Sequence, residues 1–236
     1  MLFQRHAGLF LLGLTVLYVA LMILGGSNVN VAFHVPHDSA TAVPFVTQHI
    51  RATQHIRAIR LGSFLEFISA IPLGIFMAVC ISRLRLPGIR PAGEQIAVLG
   101  GVAAPLMLTG SAMATWSLTW PGVAAAPGAV AALQAIGFDG GGPGFAVFLG
   151  LFVAGVSIAA GRSRLMPRWL MGLGIVVAAA GELSSLTLLN FTAGYCIPVA
   201  RFLSIFWMFG LSFQLAGDPQ SSRLRETRVP SPATLS

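Results

Sequence analysis

Three ionisable side chains stand inside otherwise apolar runs of this sequence: Glu66, Glu182 and Arg201. A charge in hydrocarbon costs about 2.5–3.5 kcal/mol even on the lenient insertion scale, so such a group persists where a partner or a wet cavity offsets that cost. The two acids share a local pattern. Glu66-x-x-Ser69 and Glu182-x-x-Ser185 each put a hydroxyl on the same helical face as the carboxylate. If the two helices run in opposite directions side by side, Ser69 comes level with Glu182 and Ser185 with Glu66. Each carboxylate then meets a hydroxyl from the other helix, and Arg201 neutralises one acid. With one cation for two acids, the remaining acid would carry a proton. Glu66, Ser69, Glu182, Ser185 and Arg201 are therefore the candidate binding residues, for a small solute, a proton or a lipid head group. The same groups also read as polar fastening between helices. The surplus acid favours a working site, because fastening needs no second carboxylate.

Composition says what must position these groups. Only 9% of the 236 residues are charged and 56% are hydrophobic, against roughly 25% charged in ordinary soluble domains. A water-exposed surface cannot be covered with so few polar side chains. The remaining apolar length faces lipid. Six runs are long enough to cross a bilayer: 7–25, 61–82, 95–116, 143–161, 169–190 and 196–216. The first is longer than a signal-peptide core and no A-x-A site follows it, so it reads as a retained span. The expected fold is an all-α, polytopic bundle of six transmembrane helices, lying in the lipid bilayer as its partner. Residues 217–236 are polar and read as a disordered tail.

All fourteen basic residues are arginine. With the N-terminus inside, ten fall in cytoplasmic segments and only Arg51, Arg57 and Arg60 outside, while Arg201 is inside a span. That bias predicts both termini in the cytoplasm. It also brings the three buried ionisable groups into one half of the membrane. Glu66 and Arg201 each lie five residues from an outer span end, roughly 7 Å deep, and Glu182 eight residues, roughly 12 Å. The net charge of +7 does not indicate nucleic acid. The arginines sit in short clusters between spans, without a continuous basic face or stacking aromatics. Cys80 and Cys196 fall near opposite sides of the bilayer, too far apart for a disulfide.

The outer segment before the second span carries TQHIRATQHIRA at 47–58. Two copies of a hexamer face different ways on a helix, so neither the histidines nor the arginines align. Phe45, Ala52, Ile56 and Ile59 do align, which predicts an amphipathic surface helix over 44–60 that turns down into the second span. A duplication without function is the plainer explanation of the repeat. His34, His37, Asp38, His49 and His55 share this segment. Pro36 breaks the H-x-x-H spacing, so no metal and no cofactor is expected. Further along, GFDGGGPGF at 137–145 opens the fourth span from a connection without a basic residue. It reads as a flexible loop, or as backbone that approaches a neighbour or an anion closely. Pro72 and Pro105 lie within spans and can open space beside a helix. Three spans followed by three would be inverted in topology, but the E-x-x-S echo does not map across the halves as inversion requires.

At FLEFISAIPLGIF (64–76), GGPGF (141–145), RLMPRWL (164–170) and GELSSL (181–186) the chain resembles a bacterial family of small multispanning membrane proteins known only as a domain of unknown function. The resemblance would cover most of residues 5–215. It implies a helical bundle in the bacterial plasma (inner) membrane and supplies no activity and no site residues. Three function classes stay open on the sequence. The leading one is a protein with a polar outer-leaflet cavity that binds or passes a small species. The others are a non-catalytic structural or signalling subunit, and an intramembrane enzyme. The last has the least support, since neither a nucleophile with its base nor a metal ligand set is evident.

Overall fold

The computed structural model describes residues 7–29, 53–84, 91–162 and 166–216. These form helices α1 (Ala7–Val29), α2 (Thr53–Leu84), α3 (Pro91–Ser117), α4 (Pro127–Asp139), α5 (Phe145–Arg162), α6 (Arg168–Ser184) and α7 (Cys196–Ala216). Short 3-10 turns occupy Ser185–Leu188 and Phe191–Tyr195. Among the described residues there is no strand. Six stretches are long and apolar enough to cross a membrane: Gly8–Gly26, Ile56–Leu84, Ala92–Ser117, Pro127–Gly161, Arg168–Leu188 and Phe191–Leu215. Each overlaps one span read from the sequence. The protein is an all-α, six-span, multi-pass membrane protein. Its tail from residue 217 and the histidines and aspartate at 34, 37, 38 and 49 lie outside the described residues.

The helices stand in a ring in chain order. α1 packs on α2, α2 on α3, α3 on α5, α5 on α6 and α6 on α7, and α7 returns to α1 to close the ring. Inside it, Tyr18, Phe76, Met77, Phe145, Phe152 and Trp207 are all buried. Phe152 meets Trp207 edge-on at 6.1 Å between ring centroids, the geometry that the aromatic quadrupole favours. α5 is central, touching α2 and α7 across the ring as well as its two neighbours.

Two segments differ from the sequence reading. Residues 53–60 do not form a separate surface helix; they are the first turns of α2, which runs unbroken to Leu84. Ile56 and Ile59 pack against Leu118 and Val130, so this part of the stripe is covered by protein. Arg60 donates from Nε to Thr119 Oγ1 at 3.1 Å, tying α2 to the turn that follows α3. Residues 44–52 lie outside the described residues. The second difference is the glycine-rich connection. Pro127 opens α4 at a position where its missing N–H is not needed. The chain then stays helical through Gly140–Gly144, wound as a π-helix, into α5. Pro143 cannot donate to the ladder, and a locally wider winding lets the helix pass it. Gly141, Gly142 and Pro143 are buried, so this is a packed wide turn rather than a loop.

Close backbone approach holds the ring together. A Cβ on Gly155 would stand 2.5 Å from Ala97 N and 2.7 Å from Gly93 O, so α3 and α5 touch backbone to backbone. Gly181 likewise lies against Ala146 O, with a Cβ 2.5 Å from it, joining α6 to α5. Small residues at such contacts replace the hydrophobic drive that lipid cannot supply. Gly172, by contrast, is exposed, and a Cβ there would meet nothing within 4 Å. Gly155→Ala is expected to destabilise the folded protein by about 1–3 kcal/mol through overpacking. Gly172→Ala should be neutral or stabilising by up to about 1 kcal/mol through helix propensity. Thermal unfolding of both variants in one detergent checks the contrast.

Candidate functional site

The polar centre forms where the wide turn meets α2, α3 and α7. Glu66 enters from α2, six residues beyond Arg60 and so about 9 Å further along the helix. Ser111 of α3 lies within 3.1 Å of Glu66 Oε1 and donates to Gly137 O at 2.9 Å. Arg201 of α7 donates from a terminal guanidinium nitrogen to Gly141 O at 2.7 Å. Its guanidinium carbon lies 5.0 Å from the centroid of the Phe145 ring. A desolvated cation over an aromatic face gains about 2 kcal/mol, which helps Arg201 stay among apolar helices. Glu66 and Tyr18 of α1 both lie within electrostatic range of Arg201.

Gly141 makes this convergence possible. A Cβ there would stand 2.5 Å from Ser111 Oγ and 3.5 Å from Glu66 Oε1. Only a residue without a side chain lets α3 and the acid come this close to the turn's backbone. The wide winding also redirects hydrogen bonds. The Phe145 N–H goes to Gly140 O and Gly142 O, leaving Gly141 O to take the Arg201 donor. Two atoms in the centre remain unanswered: Glu66 Oε2 and Arg201 Nε are buried with no hydrogen-bond partner. The two residues attract across the centre without forming an ion pair.

The five residues singled out from the sequence separate into two groups. Glu66 and Arg201 come together. Ser69 is buried beside them in sequence, yet its hydroxyl bonds back to Glu66 O at 2.6 Å within its own helix. Ser185 does the same with Glu182 O at 2.6 Å. Serine within a helix readily satisfies itself on the preceding turn, so neither hydroxyl reaches the other helix's carboxylate. The side-by-side packing that such contacts need is absent too, because α2 and α6 are not neighbours in the ring. Glu182 is exposed. Its orientation is fixed by Gly181, which packs against Ala146 and Gly150 of α5. The next residue is turned about 100° from that contact, away from the centre.

No family model matches the chain, and neither does any curated protein or solved structure. The site must therefore be read from its own chemistry. Ser111, Gly137 and Gly141 were not singled out in the sequence as binding residues. The close-approach reading of GFDGGGPGF was the one signal pointing toward two of them. Nothing distinguishes Ser111 from the other serines of its span. Among the described residues no group of three potential metal-ligating side chains occurs. A hollow of about 370 Å³ does open between α2 and α3, beside Gly74 and Pro105. Phe67, Ile71, Val102 and Leu106 also line it, so it is apolar, and neither Glu66 nor Arg201 borders it.

Glu182→Gln should shift stability by less than about 0.5 kcal/mol, as exposed substitutions do. Gly141→Ala should cost about 1–3 kcal/mol, because the new methyl forces Ser111 and the turn apart. Unfolding midpoints of the two variants, measured side by side, test which acid belongs to the centre.

Proposed function

We propose that this protein is a plasma-membrane binding or transport protein of bacterial type that holds a small polar species at the Glu66–Ser111–Arg201 centre. Under the arginine bias the centre belongs to the outer half of the bilayer, with both termini in the cytoplasm. One observation carries this reading. An acid and a guanidinium from different helices each retain a buried atom without a partner, at the same place where the helix winding changes. Intramembrane ionisable groups of this kind mark substrate, ion and proton sites. Wide-wound helical turns recur at functional sites as well.

A second reading has its own support. Ser111 links α3 to α4 and contacts α2, and Arg201 links α7 to the wide turn. A non-catalytic structural or signalling subunit would need such fastening and nothing more. The two readings separate by experiment. Purified protein is screened by thermal shift against small polar solutes, anionic lipid head groups and pH. A ligand at a hundred times its Kd raises stability by about 2.7 kcal/mol. The binding reading expects at least one condition to shift wild type and the Glu182→Gln variant, but not folded Glu66→Gln. Equal responses from all three proteins would leave fastening as the role.

A further inference from the structure

Ser111 has one hydroxyl proton and two oxygen neighbours, Gly137 O at 2.9 Å and Glu66 Oε1 at 3.1 Å. A hydroxyl donates once. Gly137 O can only accept, so the shorter contact has Ser111 as donor. The contact with Glu66 is then a hydrogen bond only when the carboxyl is the donor, which requires a proton on Oε1. An ionised Glu66 would draw the Ser111 proton to itself and leave Ser111 Oγ against Gly137 O at 2.9 Å with no proton between them. It would also leave Oε2 charged, buried and unpartnered, the most costly state for a carboxylate.

We infer that the species held by this centre is a proton, carried on Glu66 Oε1 and donated to Ser111, which extends the hydrogen-bond chain to Gly137 O. This rests on the binding role proposed above and names its ligand. The competing ligand is a metal cation such as sodium. A carboxylate, a hydroxyl and a helix-end carbonyl are oxygen donors that suit a hard ion. Space decides against it. Glu66 Oε2 and Arg201 Nε are closed to water, and the turn packs on Ser111 so tightly that even a methyl on Gly141 does not fit. A proton needs no cavity.

Proton release has a structural consequence. The Glu66 O–H bond breaks, its electron pair stays on Oε1, and the proton passes to bulk water when the centre opens. The Ser111 hydroxyl then turns to donate to the new carboxylate. Gly137 O loses that donor but keeps the Gly140 N–H, and two acceptor oxygens then stand 2.9 Å apart, which pushes the end of α4 away from α3. The end of α4 loses its side-chain tie to α3 at Gly137, four residues before the Gly141 carbonyl that Arg201 holds. The titratable groups facing Glu66 are Tyr18 from α1 and Arg201 from α7. From α3, Ser111 contacts it, and Asp139 at the end of α4 is exposed. Glu66 is thus the group whose proton moves the turn.

Two measurements on the full chain in lipid vesicles test this. Infrared difference spectra across a pH step should show a protonated-carboxyl band that is absent from Glu66→Gln and shifted in Ser111→Ala, unchanged when sodium replaces potassium. Hydrogen exchange of 137–145 should be roughly tenfold faster in wild type than in Glu66→Gln once the proton is lost, the ratio that one hydrogen bond supports. Ser111→Ala should show no such pH-gated step. A carboxyl band untouched by Glu66→Gln overturns the proton assignment, and so does one that sodium displaces. A gated step that survives Ser111→Ala overturns the relay. If Glu66→Gln does not fold, the wild-type band and the Ser111→Ala shift still decide. A solute found in the thermal screen that needs Glu66, with no carboxyl band responding, would keep the binding role and sink the proton alone.

Discussion

A carboxyl group surrounded by hydrocarbon must have its lone pairs answered by protein, because no water is present to do so. The arrangement around Glu66 follows from that requirement. Ser111 meets Oε1 and Gly137 O at the end of α4 meets Ser111, while Arg201 supplies positive potential from across the centre. The turn can serve because its residues carry almost no side chain. Glycine at 141 removes the atoms that would separate α3 from the backbone, and proline at 143 accompanies the change of winding that frees a carbonyl for Arg201. The polar centre and the irregular helix are one structural solution, since the turn supplies the carbonyl that Arg201 bonds and the bare glycine that lets Ser111 and Glu66 approach.

The ring around this centre is built on a different principle. Its contacts are made by small residues and by aromatic packing, with few polar bonds between helices. Gly155 on Ala97 and Gly181 on Ala146 bring backbones into contact, and Phe152 and Trp207 fill the space that results. Those contacts also fix helix rotation. Gly181 facing α5 commits Glu182 to the exposed side, whatever chemistry its sequence pattern suggests. The same logic keeps Arg201 half-buried beside the fully buried Ala200 and Ser204 of α7. Which polar groups can meet is thus decided by where the glycines are.

The repeat in the second-span approach illustrates how far local pattern reaches. Its apolar stripe was legible at Ile56 and Ile59, and both are indeed on one buried face. What covers that face was not legible, because Leu118 and Val130 come from segments about sixty and seventy residues away in the chain. Likewise the E-x-x-S pattern correctly places a serine near each glutamate's face, yet the hydroxyl finds its acceptor one turn back in the same helix.

The sequence alone determined the class of the molecule. Hydropathy and run length are local properties, and a bilayer imposes one length on every span, so six helices could be counted and Glu66 and Arg201 marked as groups needing explanation. Neighbour relations are not local. Ring order puts α3 between α2 and α5, which makes Ser111 and not Ser185 the partner of Glu66. It also folds Gly137–Gly144 inward as packed helix where composition suggested a loop. Those outcomes depend on how closely the backbones of chain-distant helices approach, and only the tertiary structure decides them.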